Sequence, residues 1–276
     1  MGVMSGEAAL ARLERLNDIV AALHAEVVLA HPERIAAPVG ESSTVADVEL
    51  EAALGRAFQS HFQGRAVIIG EEAASVGSAP HPGPGVTVFL DPIDGTRLLR
   101  EGRYDYACTF AICVAGRLEG GGVYLPGANS RFAAARQDGL YLNSSRQSPD
   151  GAAPSAVVAV RGGDLPNGRA LAAALERAGF QPQRLECTSR RLIELAQGRI
   201  SGLVKHVGES FGVPRLWGVA AGLVACEAMG KQIWLAPHRR LIAVGAQSFV
   251  GVLADETSVD FLPVCLDEAW TSLCGA

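Results

Sequence analysis

Two carboxylates spaced three residues apart, Asp91 and Asp94, stand in the stretch Asp91-Pro92-Ile93-Asp94-Gly95-Thr96, and Gly70-Glu71-Glu72 lies about twenty residues upstream. Alone, a D-P-x-D-G stretch reads as a turn, because Asp, Pro and Gly are turn formers, and a Glu pair after a strand reads as a solvated loop. Together they point to other chemistry. Carboxylate oxygens suit a hard divalent cation, and backbone N–H groups at a helix start suit a phosphate. With no Cys or His beside them, the carboxylates suit Mg²⁺.

Both carboxylate stretches follow apolar runs that read as strands. Val86-Thr87-Val88-Phe89-Leu90 is short and rich in β-branched residues, and Ala66-Val67-Ile68-Ile69 precedes Gly70. Pro92 fixes φ and lacks an N–H, so the first strand is expected to stop at Asp91, with Gly95-Thr96 turning into a helix. Glu71 then converges on the same sheet edge. The stretch between, Ala73 to Gly85, is rich in Pro, Gly and Ser and is expected to hold no regular structure. It is either a loop that closes over bound ligand or a passive hairpin connection, with His81 in solvent.

Residues 6 to 30 carry Leu10, Leu13, Leu16, Ile19, Val20, Leu23 and Val27 at helical spacing. His24 and His31 in and after this helix read as structural or exposed. Pro32 to Val39 reads as a connector. Ser43 or Thr44 N-caps a second helix with Val48, Leu50, Leu54 and Phe58 on its apolar face, which puts Asp47 in the first turn. There a carboxylate simply complements the helix dipole, unless it serves the site. Beyond Thr96, strands are expected over 108–115, 120–125, 131–135, 156–160, 200–204 and 232–235. Helices are expected over 171–178, 188–196 and 217–229, with a last strand and helix from Ala243 onward. Alternating helices and strands indicate a layered α/β (α+β) fold. A seam near 145–155 divides residues 1–150, with the candidate catalytic motifs, from 151–276.

The chain has 276 residues, enough for one large domain or two packed halves, and 49% hydrophobic with 19% charged residues excludes disorder. A net charge of −5 gives no general affinity for nucleic acid or acidic membranes. No run of 18 uncharged apolar residues occurs and the first thirty residues carry charges throughout, so neither a membrane span nor a signal peptide is expected. Six cysteines, at 108, 113, 187, 226, 265 and 274, form no C-x-x-C pair. They read as reduced, buried residues of a cytoplasmic protein.

G-E-E followed by D-P-I-D-G-T resembles the inositol monophosphatase family of Mg²⁺-dependent, Li⁺-sensitive phosphatases. Thr44-Val45-Ala46-Asp47 is similar to the family's T-x-x-D. Ala111 to Val114 with Gly122 to Pro126 is similar to its paired strands, and Trp217-Gly218-Val219-Ala220-Ala221-Gly222 with Glu227-Ala228-Met229-Gly230 to its W-D-x-A-A-G…E-A-G-G. The resemblance implies an αβαβα sandwich, a small phosphorylated metabolite as substrate, Mg²⁺ (with Mn²⁺ as a substitute) and a homodimer. It further implies that Glu71, Asp91 and the Ile93 carbonyl hold one metal, and that Asp91 and Asp94 share a second. Asp47 and Thr96 orient the attacking water, and the Gly95 and Thr96 amides cradle the phosphate.

Two positions depart from the pattern. Gly218 replaces the W-D aspartate, a ligand of the second metal, which leaves that site weaker, absent, or completed from elsewhere, Glu209 being the nearest candidate. Phe211 replaces a Glu that contacts inositol hydroxyls, and the family's G-[ST]-A helix start is here Thr188-Ser189-Arg190-Arg191. Ser189 and Arg190 then become candidates for a second anionic group on the substrate, the alternative being a solvated helix face. Myo-inositol monophosphate is therefore not a safe substrate assignment. Three readings remain: a phosphomonoesterase for a sugar, cyclitol or nucleotide phosphate, a non-catalytic member that binds an anion, and an adenosine 3′,5′-bisphosphate phosphatase. Arg97-Leu98-Leu99 counts against the last, whose K-E-F it lacks.

Overall fold

The computed structural model describes residues 7–39, 43–75, 85–148, 157–161, 166–177, 179–205, 216–231, 234–235 and 242–243. Helix α1 (Glu7–His24) continues into a π-helical turn at Ala25–Leu29, then α2 (Pro32–Ala36), β1 (Pro38–Val39), β2 (Ser43–Thr44) and α3 (Val45–His61). The predicted connector at 32–39 thus holds a helix and a strand; Pro32 sits at N1, where its missing N–H costs nothing. The carboxylate motifs then follow on β3 (Ala66–Gly70), α4 (Glu71–Ser75), β4 (Val86–Asp94) and α5 (Thr96–Arg100). A meander of β5 (Ala107–Val114), β6 (Arg117–Leu125), β7 (Ser130–Ala135), β8 (Gly139–Leu142) and β9 (Ser145–Arg146) completes the first half. Thereafter come β10 (Val157–Arg161), α6 (Pro166–Arg177), β11 (Gln181–Arg184), α7 (Thr188–Ala196), β12 (Gly202–Lys205), a 3₁₀ turn at Leu216–Gly218, α8 (Ala220–Ala228), β13 (Trp234–Leu235) and β14 (Ile242–Ala243).

Strands β3 to β9 form one sheet in sequence order, and a second sheet runs β11-β10-β12. Helices α1 and α3 pack on one face of the large sheet; α7 and α8 pack on the other. Helix α7 also meets β12 of the small sheet, whose strands β10 and β11 are covered by α6. The layers are therefore αβαβα. Three successive glycines in β6 set the thickness of the sandwich. A Cβ on Gly122 would lie 2.6 Å from Asn17 Oδ1 of α1, and one on Gly121 would lie 3.0 Å from Ala221 of α8. Both helices can sit this close only because these strand positions lack side chains.

Two expectations near the motifs need correcting. Strand β4 does not stop at Asp91: it runs through Pro92 to Asp94, with a register shift against β5 between Asp91↔Thr109 and Asp94↔Ala107. Three steps along β4 match two along β5, which is a one-residue bulge, and the ladder skips Pro92, which has no N–H to give. Strands β3 and β4 are parallel, so the link between them is a crossover and no hairpin. Its first residues form α4; residues 76–84, with His81, lie outside those described. Helix α3 buries Leu50, Leu54 and Phe58 as expected, but Val48 is 38% exposed. The predicted helix 217–229 begins with the 3₁₀ turn, and β8, β9 and β11 were not anticipated.

Candidate functional site

Strand β4 carries Asp91 and Asp94 to the end of the large sheet. In a regular strand, residues three apart face opposite sides; the bulge brings the two carboxylates to one site. Glu71 arrives on the neighbouring parallel strand, where Gly70 pairs with Leu90 and so sets Glu71 beside Asp91. The two carboxyl groups lie side by side, and each bears on the titration of the other. Burial first, and then the charges of Glu71 and Asp94, raise Asp91 well above the usual carboxylate range. Burial, followed by the Asp94 and Glu72 charges, raises Glu71.

Asp47 reaches the site from α3. Its Oδ2 accepts the Thr44 N–H at 2.8 Å and the Thr44 hydroxyl at 2.5 Å, which closes the cap of the helix. Its Oδ1 accepts the Thr96 hydroxyl at 2.7 Å, from the first residue of α5. Asp47 thus caps its helix and serves the site at once. Thr96 Oγ1 also lies 3.1 Å from the Ile93 carbonyl. Burial raises the Asp47 carboxyl, and the hydrogen bonds from Thr44 and Thr96 oppose that shift. Gly95 precedes α5 at φ 102°, a backbone region open to glycine, and Tyr106 and Cys187 pack around it.

From the other side, the N-terminus of α7 closes on Asp94. Asp94 Oδ2 accepts the Ser189 N–H at 2.5 Å and the Cys187 thiol at 3.3 Å. Ser189 Oγ donates to the Gly218 carbonyl at 3.2 Å, so the position that departs from the W-D pattern lies at the site. A Cβ at Gly218 would stand 3.2 Å from Asp91 Oδ2. Arg190 turns away: its guanidinium pairs with Asp105 and Glu194, and Arg191 pairs with Glu194. Both belong to a charged cluster with Arg97, Glu101, Arg103 and Glu186. Glu209 and Phe211 lie outside the described residues. Sequence reasoning missed Glu51, whose carboxylate accepts the Glu72 and Ala73 N–H groups at 2.8 and 2.9 Å. Its signal was the four-residue spacing from Asp47, which puts both on one face of α3.

The residues fit a single hard cation held with few protein ligands. Asp91 Oδ1 is buried with no hydrogen-bond partner, and the charges that bear most on Glu71 and Asp91 are other carboxylates. Among the described residues no three His, Cys, Asp or Glu side chains form a cage for a metal. Mg²⁺ does not require one. It commonly takes one or two carboxylates and completes its shell with water and substrate phosphate. Glu71, Asp91 and the Ile93 carbonyl would be the groups to meet that need. A second ion would find Asp94 already bonded to α7 and no side chain at Gly218.

The description of the inositol monophosphatase family fits residues 17–254 of the chain. Among solved structures, inositol monophosphatase II of Staphylococcus aureus MSSA476 is similar at TM-score 0.66 and 14% identity, over 97% of this chain and 93% of that one. An inositol monophosphatase from Zymomonas mobilis is similar at 0.67 and 19%, over 97% and 96%. SuhB of Mycobacterium tuberculosis is similar at 0.57 and 22%, over 89% and 92%. No curated protein matches the sequence. At these identities the structural likeness speaks for the fold alone.

Proposed function

This chain belongs to the inositol monophosphatase family, and from that premise we propose that it is a Mg²⁺-dependent phosphomonoesterase for a small sugar, cyclitol or nucleotide phosphate. The observation that carries the reading is the buried, unpartnered Asp91 Oδ1 beside Glu71, a pair of carboxyls that need a cation. Glu71, Asp91 and the Ile93 carbonyl would hold the ion, with Asp94 beside them. Bound Mg²⁺ supplies a water of lowered pKa and neutralises charge on the phosphate and the leaving oxygen.

The chain's own residues do the rest. Thr96 donates its hydroxyl hydrogen bond to Asp47, which leaves the Thr96 oxygen free to accept a hydrogen bond from an attacking water and so fix its direction. Gly95 and Thr96 amides, in the first turn of α5 where no intrahelical acceptor exists, would cradle the phosphate. Ser189 presents α7 to Asp94 and would line the substrate side, while Arg190 would act there only after leaving its carboxylate partners. Glu209 would contribute from the segment before the 3₁₀ turn. In this reading residues 1–150 bring the catalytic groups and residues 151–276 the substrate contacts. A homodimer accords with the family, and a cytoplasmic location with the four buried free cysteines among the described residues.

A phosphate-release assay over sugar, inositol and nucleotide phosphates, with Mg²⁺ raised from zero, tests this. Metal-dependent turnover is expected. Gly218 beside Asp91 favours one other reading, a member that binds an anion without turning it over. That reading predicts no release on any ester, even in Mn²⁺, with thermal stabilisation by phosphate.

A further inference from the structure

We propose that Glu51 is a positioning residue that fixes Glu71 against Asp91; the inference rests on reading Glu71 and Asp91 as the cation site. Glu51 lies one helical turn beyond Asp47 on α3 and is 8% exposed. Its two oxygens are both occupied: Oε2 accepts the Glu72 N–H at 2.8 Å and Oε1 accepts the Ala73 N–H at 2.9 Å. It is tied to these amides and bears on the site through them. These N–H groups open α4 and have no intrahelical acceptor, so the carboxylate of another helix caps them. The contact also explains Gly70. A Cβ there would lie 2.1 Å from the Glu51 carboxyl carbon and 2.3 and 2.4 Å from its oxygens. No side chain but hydrogen lets the carboxylate press against the chain at that point.

Glu71 is thus held from both sides. The β3–β4 ladder fixes Gly70 opposite Leu90, and Glu51 grips the next two amides beyond Glu71. Helix α3 then places two groups of the site with one rigid body: Asp47 directly on Thr96, and Glu71 through Glu51. Loosening the second grip lets Glu71 swing from Asp91 without touching the water-orienting pair. Groups that orient a metal ligand are typically worth about 10- to 100-fold in metal affinity.

The test compares wild type, Glu51→Gln, Gly70→Ala and Asp91→Asn by calorimetric titration with Mn²⁺ and by phosphate release against Mg²⁺. A Gln offers one acceptor and sets an NH₂ against the other N–H; the alanine keeps the Glu51 charge but pushes the carboxylate off. Both variants should bind Mn²⁺ about tenfold more weakly and need about tenfold more Mg²⁺. At saturating metal, kcat should recover and KM for the ester should stay at the wild-type value, which damage to the fold would not allow. Wild-type Mn²⁺ affinity in both variants, with Asp91→Asn unable to bind, overturns the inference and leaves the cation site standing. Failure of saturating metal to restore kcat also overturns it. Wild-type Mn²⁺ binding by Asp91→Asn would remove the cation site itself, and the inference with it.

Discussion

Asp91 is 3% exposed and feels the charges of Glu71, Asp94 and Asp47, with one oxygen left bare. Such a concentration of buried like charge is costly unless a cation or a shared proton relieves it. Replacing the acid by an amide removes both the charge and the reason for the arrangement, so Asp91→Asn should lower phosphate release to background in a folded protein. Thr96→Val, which cuts the link to Asp47, should lower kcat by about 10²-fold with KM nearly unchanged, the usual worth of a group that steers a proton. Gly218→Asp is the informative gain. Its carboxylate would enter beside Asp91 Oδ2, and the Mg²⁺ concentration for half-maximal rate should fall about tenfold, the equivalent of about 1.4 kcal/mol. A rate that falls at all Mg²⁺ concentrations would show that Gly218 is needed for space. Asp91, Asp94, Glu71 and Asp47 were legible because each follows a strand or opens a helix with its own local signal. Glu51 was not, because the spacing from Asp47 places it on the right face of α3 but nothing local shows that it caps a helix distant in sequence.

Among the elements, β4 shows why local rules mislead at a site. Pro92 should end a central strand, and it does lose its place in the ladder, but the bulge absorbs the loss and aims Asp91 and Asp94 together. No single-strand rule anticipates that, because the partner β5 supplies the geometry. The docking of α1 is similarly a tertiary matter. His24 reads as a helix-end residue of either kind; it is fully buried, and Nε2 bonds the Tyr106 hydroxyl at 2.7 Å. Burial pushes its pKa down to about 4 from 6.5, so the folded protein holds it neutral. Its contribution is complete above about pH 6.5 and is lost as pH falls toward 4, because there the unfolded chain takes up a proton that the folded one refuses. Stability should drop by up to about 3 kcal/mol across that window, and His24→Gln should flatten the slope in thermal unfolding. On the opposite face, Gly121→Ala would drive a methyl between the Phe110 carbonyl, 2.8 Å away, and α8. Overpacking of that kind should cost about 1–3 kcal/mol and lower Tm.

For the whole molecule, the αβαβα order gathers the candidate residues at the end of the large sheet, where Asp47 bonds Thr96 and Ser189 bonds both Asp94 and the Gly218 carbonyl. Helix α3 packs on β3 and β4, while α7 and the turn before α8 pack on the same sheet from its other face. The charged cluster that holds Arg190 also binds Arg97 of α5 and Arg103 to Glu186, just before α7. It therefore ties α5 to the helix that meets Asp94. The layers were legible from alternating helices and strands together with the family motifs. The strand order was not, since pairing depends on long-range contacts that hydrophobic runs do not encode. Among the described residues no helix is long and apolar enough to cross a membrane. In the function proposed, buried carboxylates on β4 and at the start of α4 hold a catalytic cation. Phosphate release from the ester panel, measured for wild type and Asp91→Asn as Mg²⁺ is raised from zero, tests it most directly. The account predicts turnover by wild type that rises with Mg²⁺ and none by the variant; equal turnover by both, or turnover indifferent to Mg²⁺, would contradict it.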